Sequence, residues 1–318
     1  MTQTNCITIT TSSTARVRGR LDRALDATLE RVLAGDGFDA VSELIVSLDT
    51  VMRELPGLEP ELIAACRAHQ IHAVLQQDPY TARAYRKPRG YAGDAVMLDF
   101  IYDGRPPAGT TDVGAAVFRA TTGCSAARSV RYRRGLLAEA IDQAAAEAEA
   151  ATVVAVACGH LREATCSPAV TDGRLRRLIA IDQDVESLAV VARSLRGTSI
   201  EPVRESVGGL LKGRSTFDGV DLAYAAGLLD YLDDTFASLL IERLFRALRS
   251  GGRLLVANFV PGHHGRAYMA CFMDWRLNLR HEQALAALAV RLDGRAIGDL
   301  RTFTDRESNV AYLEVTRA

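Results

Sequence analysis

The first section of the chain has the spacing of amphipathic helices. From about residue 14 to residue 78, apolar positions recur every three or four residues, as they do on the buried face of an α-helix. Pro56 interrupts the pattern, and Pro60 suits the first turn of a helix, where a missing N–H costs nothing. The segments that carry the pattern are LDRALDATLERVLA, AVSELIVSLDTVMREL and PELIAACRAHQIHAVLQ.

From about residue 150 the pattern changes to short apolar runs that alternate with helical segments. The first run is apolar throughout, which is typical of a strand buried on both faces of a parallel sheet. A long amphipathic segment, DDTFASLLIERLFRALRS, separates the last two runs and is expected to stop at Gly251-Gly252. The runs predicted as strands are ATVVAVA (151–157), RLIAID (177–182), IEPVRE (200–205), FDGVDLAYAAG (217–227) and RLLVANF (253–259).

Two later strand candidates, RAIGDLRTFT and NVAYLEVTR, flank the turn-like Asp305-Arg306-Glu307-Ser308 and predict a hairpin at the sheet edge. Strands that alternate with helices predict an α/β fold with a Rossmann-like, doubly wound sheet. The expected organisation is a flexible leader over residues 1–13, a helical cap over 14–125 and the ligand-binding core over 126–318.

Composition argues against several classes of function. The formal net charge is −1, so a nucleic-acid partner has no positive field to meet. No run approaches the roughly 20 apolar residues of a membrane helix, and MTQTNCITITTSSTARVRGR lacks the apolar core of a signal peptide. The six scattered cysteines form no Cys-x-x-Cys pair and indicate neither zinc nor disulfides. We expect a cytoplasmic protein with a small-molecule substrate and no membrane insertion, and a homodimer stays open.

The ends of the predicted strands are where a ligand is expected, because doubly wound sheets bind ligands beyond the carboxyl ends of their strands. The first strand runs into Gly159, whose backbone can approach a ligand closely, and a helical pattern follows it. The second strand ends at Asp182, and an acidic residue roughly 20 positions beyond such a loop suits ribose hydroxyls. Together the two tips indicate an adenosine-containing ligand.

The loop favours S-adenosylmethionine (SAM) over a dinucleotide. A pyrophosphate requires a glycine-rich turn, whereas VVAVACGHLREA holds a single glycine. SAM has no phosphate, so its loop can carry larger residues. SAM is therefore the expected cosubstrate.

The chain resembles class I SAM-dependent methyltransferases through VVAVACGHLREA, LIAIDQDVESLAVV, FDGVDLAYAAGLLDYL and LFRALRSGGRLLVANF. It is also similar to a bacterial subgroup through YRKPRGYAGDAVMLDFIY before the core and YMACFMDWRLNLR after the fifth strand. That subgroup includes enzymes that form methyl esters of a hydroxy fatty acid and enzymes that cyclise SAM to azetidine-2-carboxylate. The resemblance implies the class I methyltransferase fold and a SAM-dependent reaction in secondary metabolism, without choosing the substrate.

The resemblance also implies a set of SAM contacts at the strand tips. Asp182 would bind the ribose, and relatives often carry an acidic residue near the third tip, where Gly208 and Gly209 follow in this chain. The methionine portion would be lined by Cys158, Gly159 and His160. The adenine would be bordered by Gln183, Ser206 and Val207, and the sulfonium by Ala225, Ala226 and Gly227.

Two segments outside the strand tips are candidates for ligand contacts. In KPRGYAGD, Asp94 can cap the helix AVMLDFIY, and the loop can also act as a lid in which Tyr91 touches the ligand and Arg89 or Asp94 meets its carboxylate or ammonium. In ARSVRYRRG, Arg133 or Arg134 can pair with a carboxylate in bidentate fashion, or the arginines can lie on a solvated helix face. Both alternatives stay open.

Methyl transfer from a sulfonium is an in-line displacement that depends on positioning and on exclusion of water. A carboxylate acceptor needs no base, whereas an amine or phenol does, and His160, Tyr91 and Tyr231 are the candidates. Relatives tend to have VRNRR and FMDWWLIYR, where this chain has Tyr132, Arg276 and Leu279. These departures indicate either a changed acceptor pocket or drift on a helix surface.

Two other functions remain open from the sequence. In the first, SAM is the sole substrate, and its own α-amine attacks the γ-carbon to form azetidine-2-carboxylate and methylthioadenosine. Tyr91, Tyr132 and Tyr231 would then enclose the methionine chain. In the second, the protein binds SAM without catalysis.

Overall fold

The structure is a computed structural model that describes the backbone of residues 3–318 and the side chains from Ala15 onward. The chain divides into two compact units. The helical unit comprises Met1–Arg128 and His264–Arg276, and the sheet unit comprises Ser129–His263 and Leu277–Ala318. Residues 264–276, which the sequence assigned to the core, belong to the helical unit because their helix packs on two of its helices.

The helices follow the predicted periodicity through the first third of the chain. In the described part of the chain they are α1 (Gln3–Leu33), α2 (Gly37–Glu54), α3 (Glu59–Ala68), α4 (Ile71–Leu75), α5 (Pro79–Arg86), α6 (Ala95–Asp103), α7 (Asp112–Gly123), α8 (Ser125–Glu147), α9 (Pro168–Thr171), α10 (Val185–Ser194), α11 (Val207–Leu211), α12 (Asp234–Ala247), α13 (Arg266–Phe272) and α14 (Glu282–Ala287).

The helical unit is built around α2, whose buried positions recur at helical spacing. Pro60 lies in the first turn of α3, as predicted, and Pro56 lies in the connection before it. Helix α13 packs on α2 and α3, and both carboxylate oxygens of Asp49 accept backbone N–H groups at its start. The predicted leader coincides partly with α1 and partly with Met1 and Thr2, which lie outside the described residues, so its extent stays a prediction.

The sheet unit holds a seven-stranded sheet in the order β3-β2-β1-β4-β5-β7-β6. Strands β1 to β5 pair in parallel, and β7 pairs antiparallel with both β5 and β6. The predicted Rossmann-like, doubly wound sheet and its edge hairpin are therefore confirmed. The strands are β1 (Ala151–Val156), β2 (Leu175–Asp182), β3 (Ile200–Arg204), β4 (Val220–Ala225), β5 (Leu248–Phe259), β6 (Ile297–Thr304) and β7 (Val310–Arg317).

Every residue of β1 and β4 is buried, in agreement with central strands covered on both faces. The sequence predicted that Gly251-Gly252 would end α12, and this is wrong. Both glycines lie inside β5, at an irregularity in its pairing with β4. A Cβ on Gly252 would lie 2.6 Å from the carbonyl oxygen of Val220, so the close approach of the two strands requires glycine. Among the described residues, no helix has both the length and the apolar character needed to span a membrane.

Candidate functional site

The chain leaves β1 through a left-handed turn that is anchored to β2. The φ angles of Ala157, Gly159 and Leu161 are 52°, 54° and 50°. A residue with a Cβ is strained in this region by about 1 kcal/mol or more, so the turn depends on outside support. The Gly159 N–H donates to Oδ2 of Asp182 at 2.8 Å, and the Cys158 N–H donates to the Ile181 carbonyl at 3.1 Å. The structure thus brings together the first two predicted strand tips.

The helical pattern predicted directly after Gly159 does not form a helix. Residues 159–163 contain turns and no helix, a short 3-10 helix covers Ala164–Cys166, and the next α-helix, α9, begins only at Pro168. Leu161 has a left-handed φ that interrupts helical geometry. The Glu163 side chain turns inward, where Oε1 accepts the Tyr224 hydroxyl at 2.8 Å. The loop therefore lacks the helix N-terminus that a pyrophosphate site usually uses at this position.

Asp182 is buried but keeps acceptor capacity. Its Oδ1 accepts the Asp184 N–H at 2.9 Å, and its Oδ2 accepts the Gly159 N–H. An ionised carboxylate has about four acceptor sites, so hydroxyl groups can still bind to it. Burial, with Asp182 and Glu163 nearby, raises the pKa of the Cys158 thiol well above its usual value. Cys158 therefore lines this tip as a neutral thiol, with His160 buried beside it in the chain and Gln183 exposed.

The third tip carries an acidic residue that the sequence prediction missed. Strand β3 ends at Arg204, so Glu205, which was counted in the strand, is the first residue beyond it. Its Oε1 accepts the Ser206 N–H at 2.8 Å, and a Cβ on Gly209 would overlap the Glu205 carboxylate. Ser206 caps α11, accepting the Gly209 N–H at 3.1 Å, and Val207 is the first residue of that helix. A strand boundary one residue earlier would have identified Glu205.

The fourth tip faces a buried arginine. Arg133, on α8, is 5% exposed, and a Cβ added to Gly227 would lie 3.7 Å from its Nη2. No atom in the described part of the chain accepts a hydrogen bond from the buried Nη1. Burying a cation without full pairing costs several kcal/mol. The site therefore holds a guanidinium with unused donor capacity next to Ala225, Ala226 and Gly227.

Two buried carboxylates lie within electrostatic reach of Arg133. Burial raises the pKa of Glu163, although the Tyr224 hydroxyl and the nearby Arg133 and Arg134 oppose the shift. Burial also raises the pKa of Asp230 to about 6, against the Phe259 N–H, Arg133 and Arg280. Sequence reasoning missed both residues, because DYLDD holds three acidic residues and only the fold shows that Asp230 is the buried one.

Arg280 shows what a fully paired buried arginine looks like in the same unit. Its Nη1 donates to the Leu229 carbonyl at 2.8 Å and to Oδ1 of Asn258 at 2.7 Å. Its Nε and Nη2 donate to Asp234 and to the Leu232 carbonyl. Arg280 thereby fixes the segment after β4, whereas the described residues provide no such set of acceptors for Arg133.

The remaining candidates in the sheet unit differ in burial. Tyr132 is 42% exposed and Tyr231 is 39% exposed, whereas His160 is buried. Tyr132 precedes Arg133 on α8, and neighbouring helical residues point in different directions, so burial of the arginine leaves the phenol in solvent. Their predicted catalytic roles stay predictions.

The KPRGYAGD loop belongs to the helical unit. Asp94 caps α6, as predicted, because Oδ1 accepts the N–H groups of Val96 and Met97 at 3.0 and 3.1 Å. Arg83 also donates to both oxygens of this fully buried carboxylate. Arg89 and Tyr91 are half-buried. The ligand contacts predicted for Arg89, Tyr91 and Asp94 stay predictions.

The two subgroup segments meet within the helical unit. Asp274, in YMACFMDWRLNLR, pairs with Lys87 of the KPRGYAGD segment at 2.5 Å and with Arg67 at 2.8 Å. Lys87 and Asp274 both have left-handed φ angles, 49° and 45°, so this ion pair joins two strained positions. Arg276, one of the departures from relatives, is exposed.

Comparison with known proteins gives a likeness of fold. No family model and no curated protein matches the chain. A possible exported protein from Bordetella parapertussis is similar with 19% identity and a TM-score of 0.58 over 96% of both chains. N-methyltransferase NodS from Bradyrhizobium japonicum WM9, in complex with S-adenosyl-L-homocysteine, has 15% identity and a TM-score of 0.42 over 59% of this chain and 87% of that chain. Only the first of these shows a shared fold, and it covers nearly the whole chain.

Proposed function

We propose that the sheet unit binds SAM at the carboxyl edge of its sheet and that the protein transfers the methyl group to a small-molecule acceptor. The observation that carries this proposal is the buried Arg133 beside Gly227, whose Nη1 meets no acceptor in the described part of the chain. A carboxylate bound there supplies the acceptor and the opposite charge. The methionine portion of SAM ends in such a carboxylate.

The adenosine portion is proposed to lie across the first three tips. Asp182 accepts one N–H on each oxygen and so retains capacity for the ribose hydroxyls. Gln183, Ser206 and Val207 are proposed to border the adenine, together with Glu205, the acidic residue at the third tip. Cys158, Gly159 and His160 are proposed to line the methionine chain, and Ala225 and Ala226 the sulfonium.

The backbone after β1 supports SAM over a dinucleotide. A pyrophosphate is usually bound by a glycine-rich turn that opens a helix. Here residues 159–163 contain turns and no helix, and the first α-helix after β1 contains four residues. SAM needs neither feature, since it has no phosphate.

The proposal of methyl transfer includes the catalytic side chains. The proposed catalytic side chains are those of His160, Tyr91, Tyr132 and Tyr231, and the further proposed ligand contacts are Arg89 and Asp94. Azetidine-2-carboxylate formation is the other outcome that the subgroup resemblance implies. Mass spectrometry separates the two reactions, because methyl transfer gives S-adenosylhomocysteine and cyclisation gives methylthioadenosine.

The binding proposal is tested by calorimetric titration of SAM into the wild-type protein and an Arg133→Met variant. We expect the variant to bind SAM about 100-fold more weakly, the scale of lost charge-assisted hydrogen bonds. Arg128→Met, at an exposed arginine of the same helix, is the matched control and should bind within about twofold of wild type. Equal SAM affinity in wild type and Arg133→Met would contradict the proposal. NAD is titrated in the same way, and tighter binding of NAD than of SAM would also contradict it.

A further inference from the structure

Asp230 is a buried carboxylate at the carboxyl edge of the sheet. It lies in the short 3-10 helix Leu229–Tyr231 after β4 and is 3% exposed. Its Oδ1 accepts the N–H of Phe259, the last residue of β5, at 2.8 Å. No other hydrogen bond reaches this carboxylate from the described residues. It is therefore held between the ends of β4 and β5 by one contact, with most of its acceptor capacity unused.

The charged groups around Asp230 do not neutralise it by direct pairing. Arg133, from α8, and Arg280, from the segment before α14, both influence it electrostatically. Arg280 gives its hydrogen bonds to Asp234, Asn258 and two backbone carbonyls. Arg133 forms no ion pair with Asp230 among the described contacts, although both are buried in the same unit. A buried donor and a buried acceptor thus lie within electrostatic reach of each other, each with capacity for a ligand.

These charges discriminate between acceptor classes. If Arg133 binds the methionine carboxylate, a carboxylate acceptor would add another anion beside Asp230, where the other nearby cation, Arg280, already gives its hydrogen bonds to other groups. An ammonium group meets opposite charge at the Asp230 carboxylate. On the basis of the proposed function, we propose that the nucleophile at this site is an amine and that Asp230 accepts its proton.

The proposed reaction is a nucleophilic displacement at carbon. The ammonium gives a proton to Oδ2 of Asp230, and the nitrogen lone pair attacks the carbon bound to the sulfonium. The new C–N bond forms as the C–S bond breaks, and its electron pair passes to sulfur, which becomes a neutral thioether. The product nitrogen carries the positive charge, and Asp230 releases its proton to solvent. With a pKa of about 6, the carboxyl is ionised and ready to accept a proton at neutral pH.

The amine has two sources that share this chemistry. An external amine attacks the methyl carbon and yields S-adenosylhomocysteine. The α-amine of SAM attacks its own γ-carbon and yields methylthioadenosine. Incubation of the full-length protein with SAM alone, and with SAM plus a mixture of amino acids, polyamines and medium-chain fatty acids, distinguishes the two by mass spectrometry.

Asp230→Asn tests the role of the carboxylate. Its side-chain oxygen can still accept the Phe259 N–H, so the fold is retained while the base is removed. We expect formation of the C–N product to fall about 100-fold or more. SAM affinity should stay nearly unchanged if the amine is external, and should fall as well if the amine is that of SAM itself. Asp233→Asn is the matched control, because this exposed residue three positions on keeps its cap of α12 as asparagine. The wild-type rate should fall as the pH drops below about 6, and that loss should be absent in the residual Asp230→Asn activity.

The outcomes separate this inference from the function on which it rests. Absence of SAM binding by calorimetry overturns the proposed function itself. Binding accompanied by a methyl ester, by no C–N product in either incubation, or by a product whose rate is insensitive to Asp230→Asn overturns the inference alone. A C–N product that depends on Asp230 but not on Asp233 supports it.

Discussion

Two buried aspartates, one in each unit, have the same raised pKa and opposite surroundings. Burial raises the pKa of Asp78, in the helical unit, and of Asp230, in the sheet unit, to about 6 in each case. Asp78 accepts the N–H groups of Tyr80 and Thr81 and the hydroxyls of Thr81 and Thr121. Among the described residues, Asp230 accepts a side-chain hydrogen bond from the Phe259 N–H alone.

A raised pKa thus reports burial, whereas unused hydrogen-bond capacity points to a ligand. The acceptor capacity of Asp78 is filled by its own chain, and its task is to cap α5 and tie it to α7. Asp230 shares its surroundings with Arg133, whose Nη1 likewise meets no acceptor in the described part of the chain. The expected functional site is therefore in the sheet unit, at Arg133 and Asp230, whose polar atoms retain unused hydrogen-bond capacity.

Blocking the space beside Arg133 should have the largest effect, a loss of SAM affinity. Gly227→Leu would place a side chain over the Arg133 guanidinium and should weaken SAM binding about 100-fold, through loss of charge-assisted hydrogen bonds. Gly227→Ala adds only a methyl in ordinary contact, 3.7 Å from Nη2, and should bind SAM within a few-fold of wild type. Calorimetric titration of both variants measures the effect. Equal affinity in the leucine variant would place the ligand away from this tip.

Alanine at the two aspartates should separate them by stability. Asp78→Ala removes a buried charge but leaves two hydroxyls and two N–H groups without their acceptor, and should cost about 2–3 kcal/mol of unfolding free energy. Asp230→Ala leaves only the Phe259 N–H without its acceptor, and the removed charge offsets that cost, so its stability should stay within about 1 kcal/mol of wild type. Urea unfolding compares the two, and equal losses would remove the distinction drawn between them.

The pH dependence of stability should show the cost of the Asp230 charge. Folding raises the pKa of this carboxyl from 3.8 to about 6, so the folded protein binds the proton more tightly than the unfolded chain. The ionised form therefore costs stability above about pH 6, and the cost disappears as the pH falls below 4. Asp230→Asn should be more stable than wild type by about 3 kcal/mol at pH 8, and the difference should disappear below pH 4. A stability difference that stays constant across this pH range would mean that burial does not raise the pKa of Asp230.

Most of the sheet could be predicted from sequence because burial on one or both faces leaves a periodic signal. The apolar run of β1, the helix α12 and the hairpin around Asp305 all follow from local pattern and turn chemistry. The failures occur where tertiary contacts override the pattern. The helix expected after Gly159 is replaced by turns that Asp182 holds, and Gly251-Gly252 serve a close strand contact rather than a helix end.

The site was predictable only in part. Gly159 and Asp182 could be found because strand ends and their spacing are visible in the sequence, and the structure brings the two into contact. Arg133 was one of several neighbouring arginines, and its burial depends on how α8 packs. Asp230 carries no local signal, since Asp233 and Asp234 lie beside it and are exposed. Choosing among like residues requires the fold.

A crystal structure of the protein with S-adenosylhomocysteine would show directly whether Arg133 holds the ligand. We expect the ligand at the carboxyl edge of the sheet, with its carboxylate within hydrogen-bond distance of Arg133 and its ribose hydroxyls on Asp182. A ligand bound elsewhere, or one bound at this edge with Arg133 still lacking an acceptor at Nη1, would contradict it.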